Sequence, residues 1–312
     1  MSTSRNSSPV FLFCFSFLTG LFLQSAQAQG ALAALNTEGI TFQVNQKTGV
    51  AVDKTNETIS GFSLGGTARK GNKLYYVAEP SASDENSLYV ANLTTLTLTH
   101  VDLDRDDSVR ALFFKGNKLF GILYNGDLGT AGLYRIAPTT GVTTLILDLS
   151  TLDVEPLAGA FTKFGSFYYM LTQPEIDGTQ RRLLRFKTKA GSATLFEVED
   201  NLGNPVLCEK LKPNAPKNNF VCMASAAAET EVKVCRMTLK GKVTCLTTLT
   251  DIRRVGSGHT LLQLGNNYYA FVYALDEEDN QRLIKFNAKG ILKANLVLDT
   301  IMIGAHFAGE GQ

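Results

Sequence analysis

One short segment recurs along the whole chain, and this recurrence restricts the fold more than any other feature. Gly71-Asn72-Lys73-Leu74-Tyr75-Tyr76-Val77 returns as Gly116-Asn117-Lys118-Leu119-Phe120-Gly121-Ile122. Looser copies stand at Gly165-Ser166-Phe167-Tyr168-Tyr169-Met170, at Asn219-Phe220-Val221-Cys222-Met223 and at Gly265-Asn266-Asn267-Tyr268-Tyr269-Ala270. The period is roughly 45–53 residues, the length of a propeller blade. Each copy runs through a polar loop into a second apolar run, such as Leu133-Tyr134-Arg135-Ile136 or Leu283-Ile284-Lys285-Phe286. A tight turn follows, often with glycine (Gly141, Gly191, Gly241, Gly290), and the unit closes on a β-branched run such as Val142 to Leu149. Glycine supplies the positive φ that a hairpin turn demands, and alternating apolar positions predict strands that bury one face.

A further strand rich in small residues precedes each Gly-Asn turn: Gly65-Gly66-Thr67-Ala68, Ala158-Gly159-Ala160-Phe161 and Ser257-Gly258-His259-Thr260. Small side chains let innermost strands approach one another around an axis. Each unit therefore has four strands, A to D from the axis outward, and five units are complete. The termini supply a sixth. Ile303 to Phe307 reads as its A strand, Ala31 to Leu35 as its B strand, and Ile40 to Val52 as its C–D hairpin. The expected fold is all-β, a six-bladed propeller of four-stranded blades whose last blade draws strands from both ends, which hides the sheet edges.

Residues 1–28 read as a signal peptide and 29–312 as the propeller domain. Arg5 precedes an apolar run from Val10 to Leu23, and the small-x-small triplet Ala26-Gln27-Ala28 follows. The run of about 14 residues is short of the ~20 that span a bilayer. The expectation is a protein that is secreted, or periplasmic in a bacterium, with no membrane span. The 30 basic and 29 acidic residues nearly cancel, so no global field points to nucleic acid. Asn56 and Asn92 head glycosylation sequons. A monomer is expected.

The four cysteines after the leader, Cys208, Cys222, Cys235 and Cys245, fall one on each strand of the fourth unit. Their spacing is unlike that of metal sites, and an even number in a secreted chain points to disulfides. Cys235 and Cys245 flank the Lys240-Gly241 turn almost symmetrically, and Cys208 and Cys222 flank Lys212 to Lys217. These are the expected pairs among three possible connectivities.

Charge is segregated by loop class. In a propeller the B–C and D–A loops emerge on one face. Here they carry Asp84, Glu85, Glu175, Asp177, Asp276, Glu277, Glu278 and Asp279, with Asp104, Asp107 and Asp153 on the D–A loops. The A–B and C–D turns of the other face hold Arg69, Lys70, Lys163, Lys210, Lys212, Lys240, Lys242 and further lysines, with almost no acids. Acidic loops around a channel raise the local concentration of cations or basic partners, so the eight B–C carboxylates are the expected contact with a basic or cationic extracellular partner.

Catalytic signatures are lacking: there is no nucleophile elbow, phosphate loop, zinc motif or calcium loop. Of three histidines, His100 closes an outer strand, while His259 and His306 sit on A strands and face the channel or pack beside it. Asp107, Glu155 and Asn204 each stand just before an A strand in successive units, and oxygens converging on an axis suit a hard cation such as Ca²⁺. The pattern resembles secreted six-bladed propellers of the broad NHL-like kind, which include calcium-dependent gluconolactonase- and paraoxonase-like hydrolases. That resemblance gives Asp107, Glu155 and Asn204 the role of calcium ligands. The primary expectation is a non-catalytic binding propeller, and the alternative is a calcium-dependent hydrolase of small esters or lactones.

Overall fold

The computed structural model describes residues 32–36, 39–53, 61–79, 86–174, 178–189, 191, 193–226, 231–275 and 281–307. Residues 1–28, read above as a signal peptide, and the Asn56 sequon lie outside them. Within this set six antiparallel sheets form a closed ring, and the two helices are single 3-10 turns, Ser150–Leu152 and Ala215–Lys217. No helix of the described residues is long and apolar enough to cross a membrane. The innermost strands of blades 1 to 4 are Gly61–Lys70, Ser108–Lys115, Glu155–Phe164 and Cys208–Asn214. Blade 5 splits its innermost strand into Ile252–Val255 and Leu261–Leu264, both paired with Asn267–Ala274. Blade 6 takes Met302–Phe307 from the C-terminal end and Leu32–Asn36, Thr41–Val44 and Ala51–Asp53 from the N-terminal end. Leu32 pairs with Phe307 and Ala34 with Ala305, so the closure expected from the repeats is the one formed.

The B strands depart from simple alternation. Along Lys118–Asn125 the six residues from Leu119 to Tyr124 are all buried, and Asn219–Ser225 is buried almost throughout. Each B strand lies between two neighbouring blades and so has no solvent face. The outer strand Thr97–Asp102 has no buried residue. The described apolar residues accordingly gather in six clusters, one in each seam between adjacent blades. Aromatic residues fill the seams. Phe113, Phe161 and Tyr168 stack between blades 2 and 3, and Tyr268 and Phe286 pack between blades 4 and 5. A buried side chain of this size stabilises the fold by about 1.5–3 kcal/mol.

Blade twist corrects the charge map at the rim. Strands within a sheet rotate against one another, and this brings the end of one outer strand against the C–D turn of the next blade. A Cβ on Gly141 would lie 1.7 Å from the Asp102 carbonyl oxygen of the preceding blade, and one on Gly241 would lie 2.1 Å from that of Glu197. Glycine at the C–D turn thus serves inter-blade packing as well as the turn. The same approach pairs Lys242 with Glu199 at 2.5 Å and lets Asp104 accept from the Thr143 amide at 3.1 Å. Charges assigned to opposite faces meet there.

The fourth blade carries the cysteines on its four strands, as read. Cys235 and Cys245 form a disulfide. Cys208 and Cys222 are buried thiols with sulfurs 3.0 Å apart, in contact and not bonded, which differs from the second expected bond. Register accounts for this: Cys208 stands opposite Ala224 and Cys222 opposite Leu211, so the two are offset diagonal neighbours. Cross-linking residues 10 apart contributes about 2–3 kcal/mol. Cys235→Ala with Cys245→Ala is therefore expected to lower the denaturation free energy by about that amount, and a midpoint equal to that of the parent protein would remove the bond from the stability account.

Candidate functional site

The floor of the site is a backbone plug across the channel. Innermost strands of alternate blades leave their ladders at the axis. In blade 1 the pairing jumps from Phe62–Ala78 to Thr67–Tyr76, in blade 3 from Pro156–Thr172 to Phe161–Met170, and in blade 5 from Val255–Val272 to Leu261–Ala270. The extra residues bulge inward and carry Gly65, Gly159 and Gly258 at φ of 93°, 69° and 71°. A Cβ on Gly65 would lie 2.4 Å from the Gly159 amide nitrogen, one on Gly159 2.1 Å from the Gly258 oxygen, and one on Gly258 1.9 Å from the Ile303 oxygen. Three main chains therefore meet where side chains have no room, and they separate the two mouths of the channel. The Lys210 ammonium, buried beside the plug, donates to the Ala158 oxygen at 2.8 Å and the Gly258 oxygen at 2.7 Å. Burial pulls its pKa down to about 8, against the opposing attraction of Glu209.

Above the plug, at the mouth ringed by the A–B turns, lies a cavity of about 350 Å³. Arg69, Lys163 and Lys212 line one part of it and Phe113, Phe161 and Tyr168 another, and none of its described lining residues is a carboxylate. Lys210 and Lys212, read from sequence as turn lysines, are buried, because Cys208–Asn214 is an innermost strand and its residues face neighbours on both sides. Two histidines adjoin Lys212. The rings of His259 and His306 stack with centroids 4.3 Å apart. Lys212 Nζ lies 3.2 Å from His259 Nε2, and His306 Nε2 lies 3.0 Å from Thr67 Oγ1. An ammonium only donates, so His259 Nε2 accepts and its ring proton belongs on Nδ1. Burial, then the charge of Lys212, pushes the His259 pKa well below the ordinary value. Burial, Lys212 and Arg69 together push that of His306 down to about 3. Both rings are neutral at pH 7. Tyr168 Oη is buried and finds no hydrogen-bond partner among the described residues.

The opposite mouth is built of ion pairs. Asp107 accepts from Arg105 Nε at 2.5 Å and from Asn125 Nδ2 at 2.8 Å. Glu155 accepts from Gln173 Nε2 at 2.7 Å and pairs with Arg110 at 3.4 Å. Asn204 lies in an exposed turn and gives both its backbone and side-chain N–H groups to Asp200, at 2.9 and 3.0 Å. These three do not fit a calcium site. Two are neutralised by arginines, the third is spent on its own turn, and no three described His, Cys, Asp or Glu side chains gather closely enough to hold a metal. Asp84, Glu85, Glu175, Asp177, Asp276, Glu277, Glu278 and Asp279 lie outside the described residues. His100 is exposed on an outer strand, its ring 5.1 Å from that of Tyr89.

Residues 4–170, more than half of the chain, match a family described as a repeat of unknown function, DUF6923. The chain belongs to this DUF6923 family. No curated protein matches the sequence. Among solved structures, this DUF6923 chain is similar to TolB from Acinetobacter baumannii, with a TM-score of 0.60, 14% identity, and 97% of this chain and 74% of that one covered. A chain of the nidogen/laminin complex aligns with a TM-score of 0.56 at 13% identity, covering 89% of this chain and 98% of that one. A 6-phosphogluconolactonase-like protein from Bacteroides uniformis aligns with a TM-score of 0.54 at 14% identity, covering 90% and 100%. Identities this low establish a shared propeller fold and carry no activity with them.

The basic mouth escaped the motif search because its parts are far apart in sequence. A repeat-wise signal did exist. The residues just before each A–B turn, Arg69, Phe114, Lys163, Pro213 and Gln263, occupy equivalent positions in the register, and all of them line the cavity, with Lys212 one residue before Pro213. Reading that column across the repeats points to one place.

Proposed function

We propose that this protein is an exported, non-catalytic binding propeller that holds a small anionic ligand in the basic mouth of its channel. The observation that carries the reading is a concave site of about 350 Å³ lined by Arg69, Lys163 and Lys212 with no described carboxylate among its walls. Its volume falls at the small end of ligand pockets, and the blades hold the lining side chains on rigid strands. Low-dielectric aromatic walls strengthen the attraction between these cations and an anion. Export is supported by the signal-peptide pattern of residues 1–28 and by the Cys235–Cys245 bond, of a kind that persists in oxidising compartments. The arginine-paired carboxylates of the other mouth give no comparable support to a cation site or to calcium-dependent hydrolysis.

Thermal unfolding with a series of small organic anions tests this. A ligand at a hundred times its Kd raises the stability by about 2.7 kcal/mol. The gain is expected to fall with ionic strength and to be lost in Lys212→Met. Lys163→Met, on the exposed rim, is expected to weaken it less. Stabilisation by Ca²⁺ or by basic peptides, with anions inert, would overturn the reading.

A further inference from the structure

We infer that the four cysteines of blade 4 form one exchange row, along which the Cys235–Cys245 bond passes inward to Cys208–Cys222 and bares Cys245 as a reactive thiol. The inference stands apart from the anion-binding reading above. Its basis is an alignment across four strands. Cys245 stands opposite Cys235, and Cys235 stands opposite Cys222 on the neighbouring strand. The sulfurs of Cys222 and Cys208 are 3.0 Å apart. Directly opposed residues of an antiparallel pair point to one face, with Cβ atoms about 4.5–5.5 Å apart. Cys208, Cys222 and Cys235 accordingly share one apolar seam, between blades 3 and 4. The bond at the rim thus has a thiol behind it and a second thiol behind that.

The row meets solvent at its outer end. Cys208, Cys222 and Cys235 are buried, whereas Cys245 is exposed. Cys245 lines an open groove of about 600 Å³ together with Leu202, Pro205, Val206 and Lys233. A buried dithiol is screened from soluble oxidants, so oxidation of the inner pair runs through the outer bond. Burial pushes the Cys208 thiol well above its ordinary pKa. The thiolate is the attacking species in exchange, which makes Cys208 the last of the row to react.

The exchange balances within the chain. The Cys222 sulfur attacks that of Cys235, a Cys222–Cys235 bond forms and the Cys235–Cys245 bond breaks. The proton lost by Cys222 ends on Cys245. The Cys208 sulfur then attacks that of Cys222, Cys235 leaves as a thiol, and the proton of Cys208 ends on it. One bond and two thiols remain at every stage, so no oxidant or reductant is consumed. Chain entropy permits both end states. The outer bond joins residues 10 apart and the inner one residues 14 apart, a difference that favours either by less than about twofold. The states differ in what they hold. The outer bond ties Val232–Met237 to Val243–Leu249, and the inner one ties Cys208–Asn214 to Asn219–Ser225 while a thiol stands free in the groove.

Disulfide mapping of the full chain tests the inference. Chains carrying one bond are freed of small thiols and kept without oxygen at pH 8 for hours, the timescale of uncatalysed rearrangement. They are then quenched in acid, alkylated in denaturant and digested with trypsin. A lysine or arginine lies between each two of the four cysteines, so the peptides resolve every pairing. Both the Cys235–Cys245 and the Cys208–Cys222 peptides are expected, within about tenfold of each other, with the number of free thiols per chain unchanged. Maleimide added to the folded chain is expected to label Cys245 in the parent protein and not in Cys222→Ser, whose folding is checked by its thermal transition. Cys208→Ser, which removes the last step, is expected to accumulate the Cys222–Cys235 peptide. A bond that stays at one position throughout overturns the inference. Equal labelling of Cys245 in Cys222→Ser places its opening outside the row and overturns it as well. If Cys222→Ser does not fold, absence of the Cys222–Cys235 peptide in Cys208→Ser decides against the row by itself.

Discussion

Alanine at Gly159 is expected to destabilise the protein by about 3–5 kcal/mol, and alanine at Gly165 by only about 1 kcal/mol. The two glycines share a blade and have similar backbone conformations, with φ of 69° and 59°. An L-residue in this region costs about 1–2 kcal/mol at either site. They differ in what a methyl group would meet. At Gly165 nothing lies within 4 Å, whereas at Gly159 the Cβ would sit 2.1 Å from the Gly258 oxygen and 2.5 Å from the His259 nitrogen. Those atoms are main chain, tied to Lys210 and to blade 6 by the bonds from Lys210 Nζ to the Gly258 oxygen and from the Ala305 amide to the His259 oxygen. They cannot yield without parting the inner strands. Denaturant unfolding of both variants against the parent protein decides it. Equal losses at Gly159 and Gly165 would mean that the three main chains do not close on one another as described.

Acid is expected to weaken the fold steeply below pH 6.5 through His259 and His306. Both native pKa values are depressed, that of His306 from 6.5 to about 3, by burial and by the charge of Lys212, with Arg69 adding at His306 and Lys210 at His259. The unfolded chain takes up protons as the pH passes below 6.5, while the native rings refuse them. Stability that is complete above the unfolded value is therefore lost as pH falls toward the folded one. Each histidine contributes a slope of about 1.4 kcal/mol per pH unit in that window. At pH 5 His306 costs about 2 kcal/mol and His259 acts in the same direction, a large part of the 5–15 kcal/mol that a domain commonly has. Urea unfolding at pH 7, 6 and 5 is expected to show this slope in the parent protein and a much shallower one in His259→Asn with His306→Gln, where glutamine can still reach Thr67. An unchanged slope in the double variant would place the acid sensitivity elsewhere. Asp148 and Asp200, whose pKa values are lowered by hydrogen bonds from Ser150 and Asn204, act only below the ordinary aspartate range and do not confuse this window.

The ring itself was legible in the chain. The recurrence of Gly-Asn turns set the number of complete blades, and the apolar runs at Ile303–Phe307 and Ile40–Val52 pointed to a sixth blade shared by the two ends, the pairing that the structure forms. These are local patterns, in which turn chemistry and strand period act over a few residues and the ring follows by repetition. The Cys235–Cys245 bond was legible for the same reason, since its partners straddle one short turn. The Cys208–Cys222 pair was half legible: proximity followed from the hairpin, but the register that sets them diagonally came from a bulge near Cys208.

The placement of charge and the site needed the tertiary structure. Counting charges by loop treats each loop as a point on a face, whereas blade twist carries Glu199 to Lys242 and buries Lys210 and Lys212 on an innermost strand. The proposed axial oxygens Asp107, Glu155 and Asn204 occupy matching sequence positions, yet Asp107 and Asn204 are drawn to partners in their own loops and Glu155 to Gln173 on the adjacent strand and Arg110 of the preceding blade. What the sequence determined alone was whatever depends on neighbours within one repeat: strands, turns, blade number and one disulfide. The tertiary structure decided which residues from different repeats converge: the glycine plug at the axis, the stacked histidines and the basic, aromatic-walled mouth. The physical reason is that convergence across the ring depends on the direction in which each innermost side chain points, which bulges and twist set residue by residue and which no local period encodes.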